Sequence, residues 1–170
     1  LAAAAKRVDE LPGVEAAEIA CKWSWTASCQ IAVQPAKPLA MWSSASGNVW
    51  TDYEGKVQRA PDQLAAKLLI KVIEGEPPPI GVPLDPMLLQ GLTDIVSSQP
   101  TLTRLEYSQQ YGLMIKNERG ANVRLGSAEH QGALMEKLQL ASSLAEQLGA
   151  QGVMPRIIDV RHVKAPFYIK

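Results

Sequence analysis

What most constrains this chain is a run of short stretches in which apolar side chains fall on every second residue. Ile19, Cys21, Trp23 and Trp25 alternate in this way, and after Thr26-Ala27-Ser28 so do Cys29, Ile31 and Val33. The same spacing returns in Leu105 with Tyr107, Leu113 with Ile115, and Val123 with Leu125, separated by the turn-forming stretches 109–112 and 118–121. A period of two places such residues on one face of a strand. The first of these segments is therefore expected to be a β-hairpin with one buried face, and the later ones a further set of antiparallel strands.

Helical spacing interrupts this pattern in a few places. The alanine-rich stretch 1–10 favours a short helix stopped by Pro12-Gly13. Asp85 can cap a helix that has Pro86 in its first turn and Leu88, Leu92 and Ile95 along one face. Leu134, Leu138, Ala141, Leu144 and Leu148 recur at helical spacing, with Ser127 expected as the cap and Gly149 as the stop. The stretch "LLIKVIEGEPPPIGVPLDP" holds three consecutive prolines, and it reads as a surface loop following a buried apolar run, Leu68 to Ile73. Asp52-Tyr53-Glu54-Gly55 reads as a turn, with Gly55 suited to a positive φ. A boundary near Trp42 to Gly47 divides the chain into units 1–42 and 43–170. The fold class is α+β: a helix and β-hairpin unit, then a mainly antiparallel β domain with two helices packed on its sheet.

The chain closes on "IIDVRHVKAPFYIK", two β-forming stretches flanking Lys164-Ala165-Pro166. Such a final strand presents a sheet edge, which proteins usually protect with charge or proline. Both are present here. Arg156, Arg161, Lys164 and Lys170 stand against the single acid Asp159, whereas the 17 basic and 17 acidic residues of the whole chain cancel. No overall field favours nucleic acid or an anionic membrane. No apolar run is long enough to span a bilayer. Leu1 opens in a helical pattern without an initiator methionine, so an upstream portion, and any membrane anchor with it, is expected outside these residues.

Catalytic and metal chemistry find little support. His130 and His162 have no metal-ligand spacing with each other or with the cysteines. Cys21 or Cys29 with His162 as base would require a triad geometry that no spacing here specifies. Glycines are scattered at turns and helix ends, so no phosphate-cradling loop exists. With a turn centred on Trp25, Cys21 and Cys29 face one another, either bridged, which implies an oxidising compartment, or as two buried thiols. Trp23, Trp25, Trp42 and Trp50 are read as packing residues rather than as a stacking platform, because little positive charge is interleaved with them.

The order of short motifs carries a resemblance. "LPGVEAAEI", "WTASCQIAVQPAKPLAMW", "DYEGKV", "KVIEG", "GANVRLGS" and "IIDVR" follow one another as do the segments of the bacterial FtsQ/DivIB cell-division family, over almost the whole chain. The first strand and helix of that family's POTRA domain, its membrane span and its cytoplasmic tail are not among these residues. Thr26 stands where a turn proline is common, Pro35 and Ala36 replace an acid and an arginine, and His162 stands where some members carry a tyrosine used in partner binding. The resemblance implies a POTRA remainder over 1–42 and an FtsQ-type β domain over 43–170. It implies a non-enzymatic divisome scaffold without cofactors, anchored by a single pass in the cytoplasmic membrane with this region outside. Such a scaffold binds FtsB- and FtsL-like partners by strand addition and helps to control septal wall synthesis. The expected contact residues are Arg161, His162, Val163, Phe167 and Tyr168, on a sheet edge running from Arg161 to Tyr168. The runner-up is a POTRA-type periplasmic chaperone or transport module. A hydrolase using Cys29 or His162 comes third.

Overall fold

The computed structural model describes the chain apart from residues 1, 10, 12, 23–27, 62–63 and 128–132. Helix α1 (Ala2–Asp9) leads into strands β1 (Val14–Lys22) and β2 (Ser28–Pro35), which form a two-stranded antiparallel sheet of their own. Ala36 and Lys37 connect it to β3 (Pro38–Ser44), which lies inside a second sheet of nine strands. That sheet continues through β4 (Gly47–Asp52), β5 (Val57–Arg59), β6 (Leu68–Glu74), β7 (Arg104–Ser108), β8 (Gly112–Lys116), β9 (Asn122–Gly126), β10 (Ile157–Asp159) and β11 (Phe167–Ile169). Its order is β11-β10-β9-β8-β7-β6-β3-β4-β5. Hairpin neighbours run antiparallel, while β3–β6, β6–β7 and β9–β10 run parallel. Each parallel step needs a long crossover. Helix α2 (Pro86–Ser98) lies in the crossover from β6 to β7, and α3 (Leu134–Ala150) in that from β9 to β10.

The two helices pack on one another and on one face of the large sheet. Asp85 caps α2 as its sequence implies: its carboxylate accepts from Met87 N at 2.8 Å and Leu88 N at 3.1 Å, with Pro86 in the first turn. Leu92 and Ile95 are completely buried, against a layer that includes Leu39, Leu68, Ile70, Leu113, Leu125 and Ile158. The run Leu68 to Ile73 finds its core as a central strand, flanked by β3 and β7. Trp42 and Trp50 are buried. Trp42 Nε1 donates to Thr51 Oγ1 at 3.0 Å, and its ring meets Tyr107 edge-on at 5.5 Å between centroids. Trp23, Trp25 and His130 lie outside the described residues. Gly55, in the expected turn, has φ +82°.

Several expectations need correction. The face of the first hairpin carrying Ala17, Ile19 and Cys21 is only half buried, and all of β2 is exposed, Ile31 at 56% and Val33 at 49%. The alternation is present, but among the described residues α1 packs chiefly on β1, and the apolar side chains of β2 stay exposed. Ser127 does not cap α3. The helix starts only at Leu134, and its N-cap is Ala133, with no side-chain cap hydrogen bond. Nor does Gly149 stop the helix. The chain continues to Ala150, and the left-handed position that glycine accommodates is taken by Gly152, φ +72°. On α3, Ala141 and Leu148 are buried while Leu134, Leu138 and Leu144 are half-buried, and Lys137 is the most enclosed side chain at 1% exposure. It borders a cavity of ≈ 290 Å³ between the helices, with Met87, Leu88, Gly91 and Leu134. Burial lowers the Lys137 pKa from 10.5, opposed in part by the neighbouring Glu136.

Candidate partner-binding edge

A nine-stranded open sheet has two edges. At β5 the proline-rich segment closes in: Gly81 N donates to Val57 O at 3.0 Å, and Leu84 N to Gly55 O at 2.8 Å. Those bonds occupy backbone groups that an added strand would need. At β11 no described strand pairs with the outer side. Phe167, Tyr168 and Ile169 are exposed there at 47%, 42% and 44%.

The hydrogen-bond register decides which backbone groups that edge offers. Asn122 N donates to Arg156 O at 2.9 Å and Val160 N to Arg124 O at 3.0 Å, so the even-numbered residues of β10 turn their backbone toward β9. Ile157 and Asp159 consequently turn theirs toward β11, where their partners are Ile169 and Phe167. Arg156, just ahead of β10, departs from this alternation, its N–H donating to Ile169 O at 2.7 Å, which places that carbonyl on the β10 side. Tyr168, between them, has its N–H and C=O on the open side. Its side chain shares the face of buried Ile158, whereas Phe167 shares that of Asp159.

The connection into β11 is held by charge. Asp159, 2% exposed, accepts from Arg161 N at 3.2 Å and from Arg161 Nε at 3.0 Å on both carboxylate oxygens, and Arg161 Nη2 lies 2.9 Å from Oδ2. Arg124 approaches the same carboxylate at 3.6 Å. Both guanidinium groups lie over the Tyr111 ring, Arg124 at 3.7 Å and Arg161 at 5.4 Å. Beyond Arg161 the chain turns, Ala165 N donating to His162 O at 3.0 Å.

The expected contact residues thus separate. Phe167 and Tyr168 are in the edge strand, but Arg161, His162 and Val163 lie in the connection before it, so the strand edge is shorter than the span 161–168. His162 is exposed, Val163 half-buried, and Arg161 turned inward to Asp159. Sequence reasoning missed Ile169, Arg124 and Tyr111. For Asp159 and Arg161 a signal existed, since residues two apart along a strand project to the same side. Cys21 and Cys29 are opposite one another and joined as a disulfide, so neither provides a thiolate for catalysis. Among the described residues no three His, Cys, Asp or Glu side chains converge as a metal site.

Residues 40–161, from β3 to the Asp159–Arg161 clamp, match the family model described as cell division protein FtsQ/DivIB, C-terminal. The chain belongs to the FtsQ/DivIB family. This assigns it a role in cell division, within a family of non-catalytic, membrane-anchored scaffolds that work by protein–protein interaction in the divisome. The FtsQ/DivIB match ends at Arg161, within the connection into β11. Comparison with individual curated proteins gives no match. Among the described residues no helix is long and apolar enough to cross a membrane.

Proposed function

We propose that this chain is the extracytoplasmic part of a division scaffold that holds FtsB- and FtsL-like partners, and through them helps to control septal wall synthesis. The reading extends the family assignment to a mode of binding, in which a partner segment adds as a strand to β11. The open side of Tyr168 carries this proposal. Backbone pairing there supplies affinity without demanding a particular partner side chain, while exposed Phe167, Tyr168 and Ile169 supply selectivity. Arg161, His162 and Val163 flank the strand and contribute at its rim, Arg161 by orienting the connection through Asp159. The unit that ends with β2 acts as a POTRA-type remainder and the nine-stranded unit that starts with β3 as the FtsQ-type β domain, so the division expected at 42–43 moves ahead of β3, with a single membrane anchor upstream.

Proline substitution separates the two sides of the strand. Tyr168→Pro removes the outward donor and leaves the β10 ladder intact, whereas Phe167→Pro removes an inward donor. For an FtsB extracytoplasmic segment, Tyr168→Pro is expected to weaken binding by about tenfold or more, the loss of roughly one hydrogen bond and its neighbours, with an unchanged melting point. Phe167→Pro is expected to lower the melting point. Wild-type affinity in a folded Tyr168→Pro protein would remove β11 as the docking strand.

A further inference from the structure

Glu76 to Pro83 crosses the β5 end of the large sheet as a strap whose two sides differ in kind. The inner side is bonded to the sheet: Gly81 N donates to Val57 O at 3.0 Å, Leu84 N to Gly55 O at 2.8 Å and Ser46 Oγ to Glu76 Oε2 at 2.8 Å, and the Leu84 side chain is buried. Those bonds account for the sealed edge. They do not account for the outer side, where Pro79 and Pro83 are exposed and the apolar Ile80 and Val82 stand 54% and 51% exposed. Polar side chains there would protect the edge equally well.

Proline fixes the shape of the strap. Glu76, Pro77 and Pro78 each precede a proline, which holds them in extended or polyproline II backbone, and the rings set φ at Pro77, Pro78 and Pro79. The next residues close a turn, Val82 N donating to Pro79 O at 3.2 Å, with Gly81 at φ +80° in the position that a type II turn reserves for glycine. A segment so constrained loses little conformational entropy when a second surface closes on it. Its charge is one-sided as well. Between Lys71 and Arg104 stand Glu74, Glu76, Asp85 and Asp94 with no lysine or arginine, in a chain whose 17 basic and 17 acidic residues cancel. Arg59 approaches from β5, along the groove beside Pro77 and Ile80, while the acids at the two ends, Glu74 and Asp85, are exposed.

We propose that this strap is a preformed ligand for a protein partner with an aromatic-lined groove, of the kind that takes polyproline II segments, rimmed by lysine or arginine. Aromatic rings stack on Pro77 to Pro79, the Ile80–Val82 turn fills an apolar pocket beside them, and the basic rim meets Glu74 and Asp85. β5 and β11 are the opposite ends of the sheet, so the proposal does not rest on strand addition at β11.

NMR on the whole isotope-labelled chain tests it with a blocked Lys-Trp-Trp-Lys peptide as probe, which carries the rings and the rim charge alone. Saturable ring-current shifts are expected at Pro77 to Val82, with an affinity at least about tenfold above those of Lys-Ala-Ala-Lys and Glu-Trp-Trp-Glu. Replacing Pro77, Pro78 and Pro79 together by alanine should weaken binding by at least about tenfold, and so should Ile80→Ser with Val82→Ser, which touches exposed side chains only. Unchanged methyl shifts of Leu92 and Ile95 report that each variant is folded. Tyr168→Pro should leave the affinity for this probe as it is. Shifts confined to β11, or spread evenly over the surface, would overturn the proposal. So would equal affinity for Lys-Ala-Ala-Lys, or undiminished binding by the folded Ile80→Ser, Val82→Ser protein.

Discussion

Arg161 donates to the carboxylate of Asp159 from its backbone N–H and from Nε, with Nη2 2.9 Å away, and so fixes the direction in which the chain leaves β10. Asp159 is buried while the guanidinium of Arg161 keeps some contact with solvent, so the pair combines a charge-assisted hydrogen bond with a geometric constraint. Replacing Asp159 with alanine leaves Arg161 and Arg124 without their shared acceptor. The expected cost is about 1.5 to 3 kcal/mol, read by denaturant unfolding, and the amides of Phe167 and Ile169 should lose protection.

Core substitutions should separate by depth on the helix layer. Leu92→Ala removes a fully buried side chain and should cost about 2 to 5 kcal/mol, whereas half-buried Leu138→Ala should cost less than half as much as Leu92→Ala. Equal losses in urea titrations would mean that α3 packs as deeply as α2 at that position.

Trp42 tests a polar detail of the core. Trp42→Phe keeps an aromatic ring beside Tyr107 but removes the donor to buried Thr51 Oγ1. A loss of about 1 to 3 kcal/mol is expected, and Trp42→Phe combined with Thr51→Val should recover part of it.

Lys137 gives a pH signature. Burial lowers its folded-state pKa below the 10.5 of the open chain, so the unfolded state holds the proton more tightly. Stability should therefore rise as pH climbs through the window from the folded-state value to 10.5, and the penalty is fully present below that window. Lys137→Met should flatten the rise, as read by melting curves at stepped pH up to 10. An unchanged slope would place the titration elsewhere.

Most of the architecture was legible because it rests on local chemistry. The alternation of Leu105 with Tyr107 and Val123 with Leu125, and the Asp85-Pro86 start of α2, needed no tertiary knowledge. What escaped depends on neighbours distant in sequence. A lysine on a helix reads as solvent-facing, and nothing near Lys137 announces that α2 encloses it. Ile31 and Val33 read as core because pattern gives parity, not cover. The edge strand was placed too early because Val163 is β-forming, yet Arg161 bonding back to Asp159 turns the chain before a strand can start. Arg124 was invisible because the parallel pairing of β9 with β10 brings it to Asp159, and Tyr111 because it enters only from the turn between β7 and β8, beneath the two guanidinium groups.

The amide of Tyr168 provides the most direct test of strand addition. Its exchange, followed residue by residue by NMR, should be fast in the protein alone, because its N–H faces outward, while Phe167 and Ile169 should already be protected by β10. Adding a saturating FtsB extracytoplasmic segment should slow Tyr168 by at least about tenfold and leave its two neighbours little changed. Tyr168 exchange that stays fast with partner bound would contradict the account.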